Sequence, residues 1–452
     1  MKSIVIDTLT YSQKTAILED NVLTELLIED KAENKTVSNI YRGVVKKVMP
    51  GIEAAFVDIG SEKYGYLPLY KNKDIKSGQD ILVQINKEEV GTKGAKLTTE
   101  ISFAGRYIVY IPSNDRITIS NKMTDEEERF RLKKIVRKIV GDNDYGIIIR
   151  TEAVGATYEE LKNDLDNLLV KHNKLLKEYK LGMGPKLLYK VLDKSMKYIN
   201  DNVNDTFDKI IVNNAQKYEE IKILLKSIDK DLVSKLKLED GEDVFDLYNV
   251  ENQIKKALNK KIWLKSGGYL VLERTEALTV VDVNTGKFTG SIELDETVYK
   301  TNIEACSEIA RQLRLRDIGG IIIIDFIDME KEEYKKDIID KLNTELQREK
   351  RKTQVFGMTR LGLVEMVRKR DKEPIDEYYN NSILHIIDNI EKELIRLNKH
   401  TSSKSMEVEL SSDIYNFIKS QNIYNLDELG KRYNIKLSIK LNTTLIDKSY
   451  KL

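Results

Sequence analysis

Short, β-branched apolar runs separated by turn residues fill the first quarter of the chain. Ser3–Asp7 and Lys14–Glu19 come first, and Tyr41–Val45, Ala54–Gly60, Tyr64–Leu69 and Asp80–Ile85 follow at close spacing. Such runs predict strands, and their crowding between Ser38 and Ser102 predicts a small barrel. Two further apolar runs, Tyr107–Pro112 and Gly146–Thr151, flank a helix-period segment at 124–140. From Glu159 to Leu258 helix periods dominate, broken at Gly182–Pro185. The character changes at Trp263. Tyr269–Glu273 and Leu278–Asn284 predict strands, 296–316 a long helix, Ile321–Asp325 a buried strand and 330–348 another helix, which is an α/β layer pattern. Beyond Lys372, helices at 383–397 and 412–420 and a strand at Lys436–Lys440 predict a last small segment.

At 452 residues the chain is long enough for about three domains of roughly 100–200 residues each. Its longest aliphatic run, Ile321–Ile324, is far too short for a bilayer, and Met1–Asp7 lacks the apolar stretch of a signal peptide. Neither secretion nor membrane insertion is expected. One cysteine, Cys306, allows no internal disulfide and no cysteine-built zinc site within one chain. Lys and Arg number 75 against 74 Asp and Glu, a net charge of +1, so any polyanion site must come from local clustering. One such cluster is Leu346–Lys372, where nine basic residues face Glu349, Glu365 and Asp371. It is either a solvated face or a phosphate-binding surface.

The segment Val280–Gly286 carries the strongest chemical signal. Side chains alternate along a strand, so Asp282 and Asn284 project from one face, about 7 Å apart, where Thr285 and Gly286 end the apolar run. Open α/β sheets place ligands in the crevice beyond such strand ends. A second carboxylate, Asp325, follows four isoleucines in the same way. Two such residues are either solvated turn positions or a pair of oxygen ligands for Mg²⁺, which is held by one or two carboxylates with water and phosphate. In the barrel, Phe56, Tyr64 and Tyr66 interleave with Arg42, Lys46, Lys47 and Lys63, as in modules that stack bases and track phosphates, although Phe56 fits a barrel core equally well. Lys93 lies in a glycine-flanked loop. No GxxxxGK[ST] loop and no HExxH occurs, and Cys306 sits on an apolar helical stripe as a small hydrophobe.

These residues resemble the catalytic half of the RNase E/G family of bacterial endoribonucleases. The match is densest from Ser266 to Met329, through Val281–Gly286, Glu308–Asp317 and Gly319–Met329, and it resumes at Thr359–Met366. Glu53–Asp58 and Gly65–Leu69 match the family's RNA-binding barrel. The resemblance implies a Mg²⁺-dependent endoribonuclease that cuts single-stranded, AU-rich RNA to 5′-phosphate and 3′-hydroxyl ends in RNA processing and mRNA decay, with Mn²⁺ as a substitute ion. Asp282 and Asp325 would hold the metal and Asn284 the scissile phosphate. Phe56, Tyr66 and Lys93 would grip RNA. Val109, Arg150, Thr151 and Lys352 would sense a 5′-monophosphate, with Lys352 standing where a further arginine is expected. Without the resemblance, Arg150 reads as a solvated strand-end residue.

The implied fold is an α+β and α/β multidomain chain. An RNase H-like domain (1–35 with 194–257) would carry an inserted OB-type barrel (36–100) and a 5′-sensor region (101–193). A DNase I-like catalytic domain (258–372) and a small C-terminal domain (373–452) would follow. The family's Cys-x-x-Cys zinc link is missing from Arg370–Tyr379, so no structural zinc is expected and a homodimer would need another interface. The chain is closest to the short, RNase G-like form, and a cytoplasmic location is expected. The rival readings are a non-catalytic RNA-binding protein and a DNA-directed phosphodiesterase on the same scaffold.

Overall fold

A computed structural model describes residues 1–31, 37–69, 74–88, 94–286, 294–349, 351–370, 374–401, 404–421, 424–445 and 450–451. The chain divides into two units, one of Met1–Ala32, Asn204–Ile223 and Asp231–Leu452, the other of Glu33–Val203 and Leu224–Lys230. The fold is mixed α+β and includes a closed five-stranded barrel.

Among the described residues the first unit holds three sheets. Lys2–Thr8, Ser12–Glu19 and Val22–Asp30 pair antiparallel, and Lys209–Val212 and Leu236–Leu238 extend the sheet in parallel beyond Lys2–Thr8. The central strand is buried on both faces, which explains its unbroken Ile4–Val5–Ile6 run. Two buried charges tie this sheet to the helix Ile383–His400. Lys14 meets Asp388 at 2.9 Å, and Lys392 lies 3.5 Å from both Asp7 and Asp243. Burial alone would lower the Lys14 pKa, but Asp388, then Tyr379 and Asp7, raise it, so the ammonium stays charged.

The second sheet of this unit runs Lys261–Trp263, Tyr269–Arg274, Leu278–Asn284, Gly320–Asp325, Leu363–Arg368 and Thr353–Met358. Among the described residues its one parallel pair is Leu278–Asn284 with Gly320–Asp325, linked by a crossover through the helix Leu294–Leu315. Side chains of Leu278–Asn284 alternate strictly between buried and half-exposed. The buried face packs Leu270, Val281, Ile322, Ile324 and Val364 against Ile309 and Leu313 of the crossover helix and Ile338 and Leu342 of the helix Glu332–Leu346. Each such side chain, fully buried, contributes about 1.5–3 kcal/mol. The opposite face stays open, and that side carries the carboxylates.

In the second unit the strands Ile40–Met49, Ala54–Asp58, Gly65–Pro68, Lys96–Thr98 and Asp80–Lys87 close when Asp80–Lys87 pairs back on Ile40–Met49. Val45, Val57, Leu67, Val83 and Leu97 fill the interior. A four-stranded sheet, Ile117–Ile119, Gly146–Ile149, Ile108–Ile111 and Phe103–Ala104, packs on the helices Glu126–Val140 and Tyr158–Lys180.

The stretch predicted to be helical from Glu159 to Leu258 also contains the strands Lys186–Tyr189, Lys209–Val212 and Leu236–Leu238. Three or four residues carry too little periodicity to tell strand from helix, and distant partners decide the matter. Lys209–Val212 pairs with the first strand of the chain and Lys186–Tyr189 with the barrel.

Candidate functional site

The open face of the six-stranded sheet brings the two strand-end carboxylates together. Asp282 and Asp325 are direct partners across the parallel ladder, so both side chains rise from the same face one strand spacing, about 4.8 Å, apart. Asn284, two residues on, points the same way, and its Nδ2 donates to Asp282 Oδ2 at 2.7 Å. The separation anticipated along the strand is therefore bridged by the side chains themselves. The Asp325 carboxyl is pushed above the usual carboxylate range by partial desolvation first, then by the negative charges of Asp282 and Asp328. Among the described residues no group of three or more His, Cys, Asp or Glu side chains forms a metal cage. Two hard oxygen donors with like-charge strain suit a hydrated divalent cation completed by water and phosphate.

Backbone anchors hold this pair. Asn302, fully buried on the crossover helix, acts like a strand neighbour to the loop after Asp325. Its Nδ2 donates to the Ile327 carbonyl at 2.8 Å and its Oδ1 accepts from the Ile327 N–H at 3.1 Å. Glu304, on the same helix, accepts from the Lys265 and Ser266 N–H groups at 2.6 and 3.0 Å. That turn packs on the end of the Asp282 strand. A Cβ on Gly286, whose φ is +69°, would strike the Gly267 carbonyl oxygen. Only glycine ends the strand here without displacing the turn. The anchoring role of Asn302 and Glu304 was not foreseen from the sequence, because a polar residue on a helix gives no local sign of the backbone groups it will bond.

Arg150 is not solvated. It is 18% exposed, and its two terminal nitrogens form a fork on Asp201, 2.9 Å on each side. It also donates to the Gly105 and Arg106 carbonyls and lies 3.3 Å from Glu152. Burial would lower its pKa, but Asp201, then Glu152 and Asp164, raise it. The Gly105–Ile108 loop is itself built on Asp164, which accepts from the N–H groups of Arg106, Tyr107 and Ile108 at 3.0, 2.7 and 3.1 Å. Val109 sits beside this loop, paired with Ile148, and Thr151 Oγ1 donates to Glu152 at 3.2 Å. Val109, Arg150 and Thr151 thus lie in one sheet region of the second unit. Lys352 belongs to the first unit and is exposed.

On the barrel, Phe56 and Tyr66 are cross-strand partners with ring centroids 6.3 Å apart, both half-exposed and outside the interior cluster. The register settles the ambiguity of Phe56 in favour of an outward face. Lys93 lies outside the described residues. Arg42, grouped in the sequence with the basic flanks, is 3% exposed and donates to the carbonyls of Glu178, Tyr179 and Gly184. The basic run after Leu346 is likewise not one surface. Arg368 is 1% exposed and forks onto Glu349 at 2.6 and 2.8 Å, and Arg351 pairs with Asp317. Cys306 is buried, donates to the Ile338 carbonyl, and has its thiol pushed up to about 12 by desolvation.

The profile of the Ribonuclease E/G family matches residues 102–371. Ribonuclease G of Escherichia coli (strain K12) is 36% identical over 472 aligned positions, covering 96% of this chain and 96% of that protein. Ribonuclease G of Haemophilus influenzae is 40% identical over 385 positions, 80% of this chain and 78% of that protein. Ribonuclease E of the same organism is 32% identical over 467 positions, 96% of this chain but 50% of that protein.

Proposed function

Since the chain belongs to the ribonuclease E/G family, we propose that Asp282, Asn284 and Asp325 form its active centre and that it cleaves single-stranded RNA there with Mg²⁺. The protein is an endoribonuclease, a phosphodiester hydrolase that acts in RNA processing. The observation that carries the assignment of the centre is the in-register carboxylate pair on the open sheet face, with Asn284 bonded to Asp282.

Asp282 and Asp325 furnish two anionic oxygens for the metal. When bound, Mg²⁺ supplies positive charge where the phosphate gains negative charge and helps orient the scissile group. Asn284 gives one amide hydrogen to Asp282, which fixes the carboxylate, and keeps a second for a phosphate oxygen. Asn302 holds the loop beyond Asp325 so that the second carboxylate keeps its position.

The rest of the reading follows the same logic. Phe56 and Tyr66 present an aromatic step for bases on the barrel, with Lys93 as a further contact. Val109, Arg150 and Thr151 are assigned to a substrate 5′-monophosphate. AU-rich RNA is the preferred substrate, and 5′-phosphate and 3′-hydroxyl ends are the products. Three antiparallel strands joined on the far side of the first by two parallel ones support the RNase H-like label for the five-stranded sheet. The mixed sheet with strand-end acids supports the DNase I-like label for the other. The buried, unreactive Cys306 supports a dimer held without zinc. Among the described residues no helix is long and apolar enough to cross a membrane. On the family resemblance, we assign the chain to the cytoplasm.

The test is cleavage of matched RNA and DNA oligonucleotides with and without Mg²⁺ by the wild type and by Asp282→Asn and Asp325→Asn. RNA cleavage that needs Mg²⁺ and both carboxylates supports the assignment. Normal turnover by either folded variant removes it, and equal cleavage of DNA favours a general phosphodiesterase.

A further inference from the structure

The open face that carries the carboxylates also carries a feature outside the reading above. Trp263 pairs with Tyr269, and Tyr269 pairs with Asn284, so the three side chains form one row across three adjacent strands on the same face. The row next to it is Lys261, Val271, Asp282 and Asp325. At about 4.8 Å per strand, Tyr269 stands one spacing from Asn284 and Trp263 two. Trp263, the only tryptophan of the chain, is 65% exposed on the short edge strand. It meets Tyr269 edge to face, with centroids 5.4 Å apart at 61°. The Lys261 ammonium sits 4.3 Å from the Trp263 ring and 3.5 Å from the Tyr269 ring.

Single exposed hydrophobic residues are ordinary, so exposure by itself assigns nothing. The register with Asn284 gives this one a direction. We propose that Trp263 and Tyr269, with Lys261, form a base-stacking subsite of the catalytic cleft. The inference rests on the assignment of the scissile phosphate to Asn284. The RNA backbone then crosses the strands along the Lys261–Asp282–Asp325 row, and the base of a nucleotide flanking the cut lies on the indole. Lys261 takes the phosphate next to that nucleotide, a role its present seat between two rings already prepares, since the cation is held at the aromatic surface. Stacking on a ring reads no hydrogen-bond pattern, so the subsite accepts any base and favours those with the larger aromatic face. It is a positioning device that sets the register of the strand over the carboxylates.

The single tryptophan makes the test direct. Wild-type protein in EDTA is titrated with a single-stranded oligoribonucleotide bearing one mapped cleavage site, and with versions that lack the base at each position around it. Saturable quenching of tryptophan fluorescence is expected, lost when one particular flanking base is missing. Trp263→Ala should lower kcat/KM by about tenfold, Trp263→Phe by much less, and the missing-base penalty should vanish in Trp263→Ala. Lys261→Ala should reduce the slope of log affinity against log salt by about 0.7. Fluorescence unchanged at saturating RNA, or an equal missing-base penalty in wild type and Trp263→Ala, overturns the proposal. These readouts separate from the underlying assignment. Full cleavage by Asp282→Asn refutes the catalytic reading even if the indole is quenched, whereas an inert Trp263 beside essential carboxylates refutes only the subsite.

Discussion

Asp282 with Asp325, and Arg150 with Asp201, are charged groups placed at or beside the ends of apolar strands, yet the first pair repels and the second attracts. The carboxylates face each other across a parallel ladder, helped by one amide hydrogen from Asn284. Arg150 already holds a carboxylate fork, a second carboxylate and two carbonyls. The contrast predicts different chemistry for incoming ligands. A cation entering the first site relieves repulsion that raises the Asp325 pKa. A phosphate entering the second would compete with Asp201 for the guanidinium. On the proposed roles, the carboxylate pair gains from an incoming partner, whereas the arginine must share itself with one.

The largest expected effect comes from removing the repulsion. Asp325→Asn or Asp282→Asn should cost on the order of a thousandfold in single-turnover cleavage while RNA affinity stays within about tenfold. Activity that survives would mean that the pair is not where the metal sits. Next comes the support of that pair. Asn302→Ala removes two bonds to Ile327 and leaves its backbone groups buried, so kcat should fall roughly 10–100-fold. Stability should fall by about 1–3 kcal/mol, readable as a lower Tm. Unchanged kcat with lowered Tm would make Asn302 a fold residue only.

On the arginine side, Asp201→Asn weakens the internal competitor, and charge-assisted bonds worth about 1.5–3 kcal/mol predict roughly a tenfold greater preference for 5′-monophosphorylated over 5′-hydroxyl RNA. An unchanged or smaller preference would show that the fork on Asp201 is structural and that the 5′ end is read elsewhere. The smallest effect is on pH. Because the Asp325 pKa is raised, its carboxylate is lost on acidification sooner than an ordinary one, and the acid limb of kcat/KM should move to lower pH as Mg²⁺ is increased. Glu128 behaves oppositely. Arg131 and the Gly155 N–H hold its carboxyl down at about 2, so its stabilisation of the loop after Arg150 is complete above the usual glutamate value and fades only as pH falls toward 2. Cleavage should therefore fail on acidification before the loop at Gly155 loosens, as read from the Gly155 amide signal by NMR. The reverse order would contradict both pKa directions.

Two strand-end aspartates were visible in the sequence, but each reads as readily as a solvated turn position, and the family resemblance, not the strand pattern, singled out Asp282 and Asp325 as a pair. The barrel was legible from strand crowding, though not which way Phe56 faces, since that depends on its pairing with Tyr66. What stayed hidden depends on contacts between distant positions. Asp201 lies 51 positions from the Arg150 it clamps. Arg42 read as a phosphate-tracking flank of the barrel and Arg368 as part of a solvated or phosphate-binding run, and their burial follows from helix-end carbonyls and from Glu349, which no local pattern announces. The short strands Lys209–Val212 and Lys186–Tyr189 owe their conformation to partners far away in the chain.

The parallel pairing of Leu278–Asn284 with Gly320–Asp325 also governs when the centre comes into being. Parallel neighbours cannot be joined by a hairpin, so Asp282 waits for the crossover helix and for Gly320–Asp325 before it gains its companion. That same helix delivers Asn302, and the last strand to close on Asp325 is Leu363–Arg368. Contacts separated by so much chain form late, because loop closure must be completed before they stabilise anything. A growing chain therefore carries Asp282 before its ladder partner is made, and the proposed centre is complete only when the sheet is.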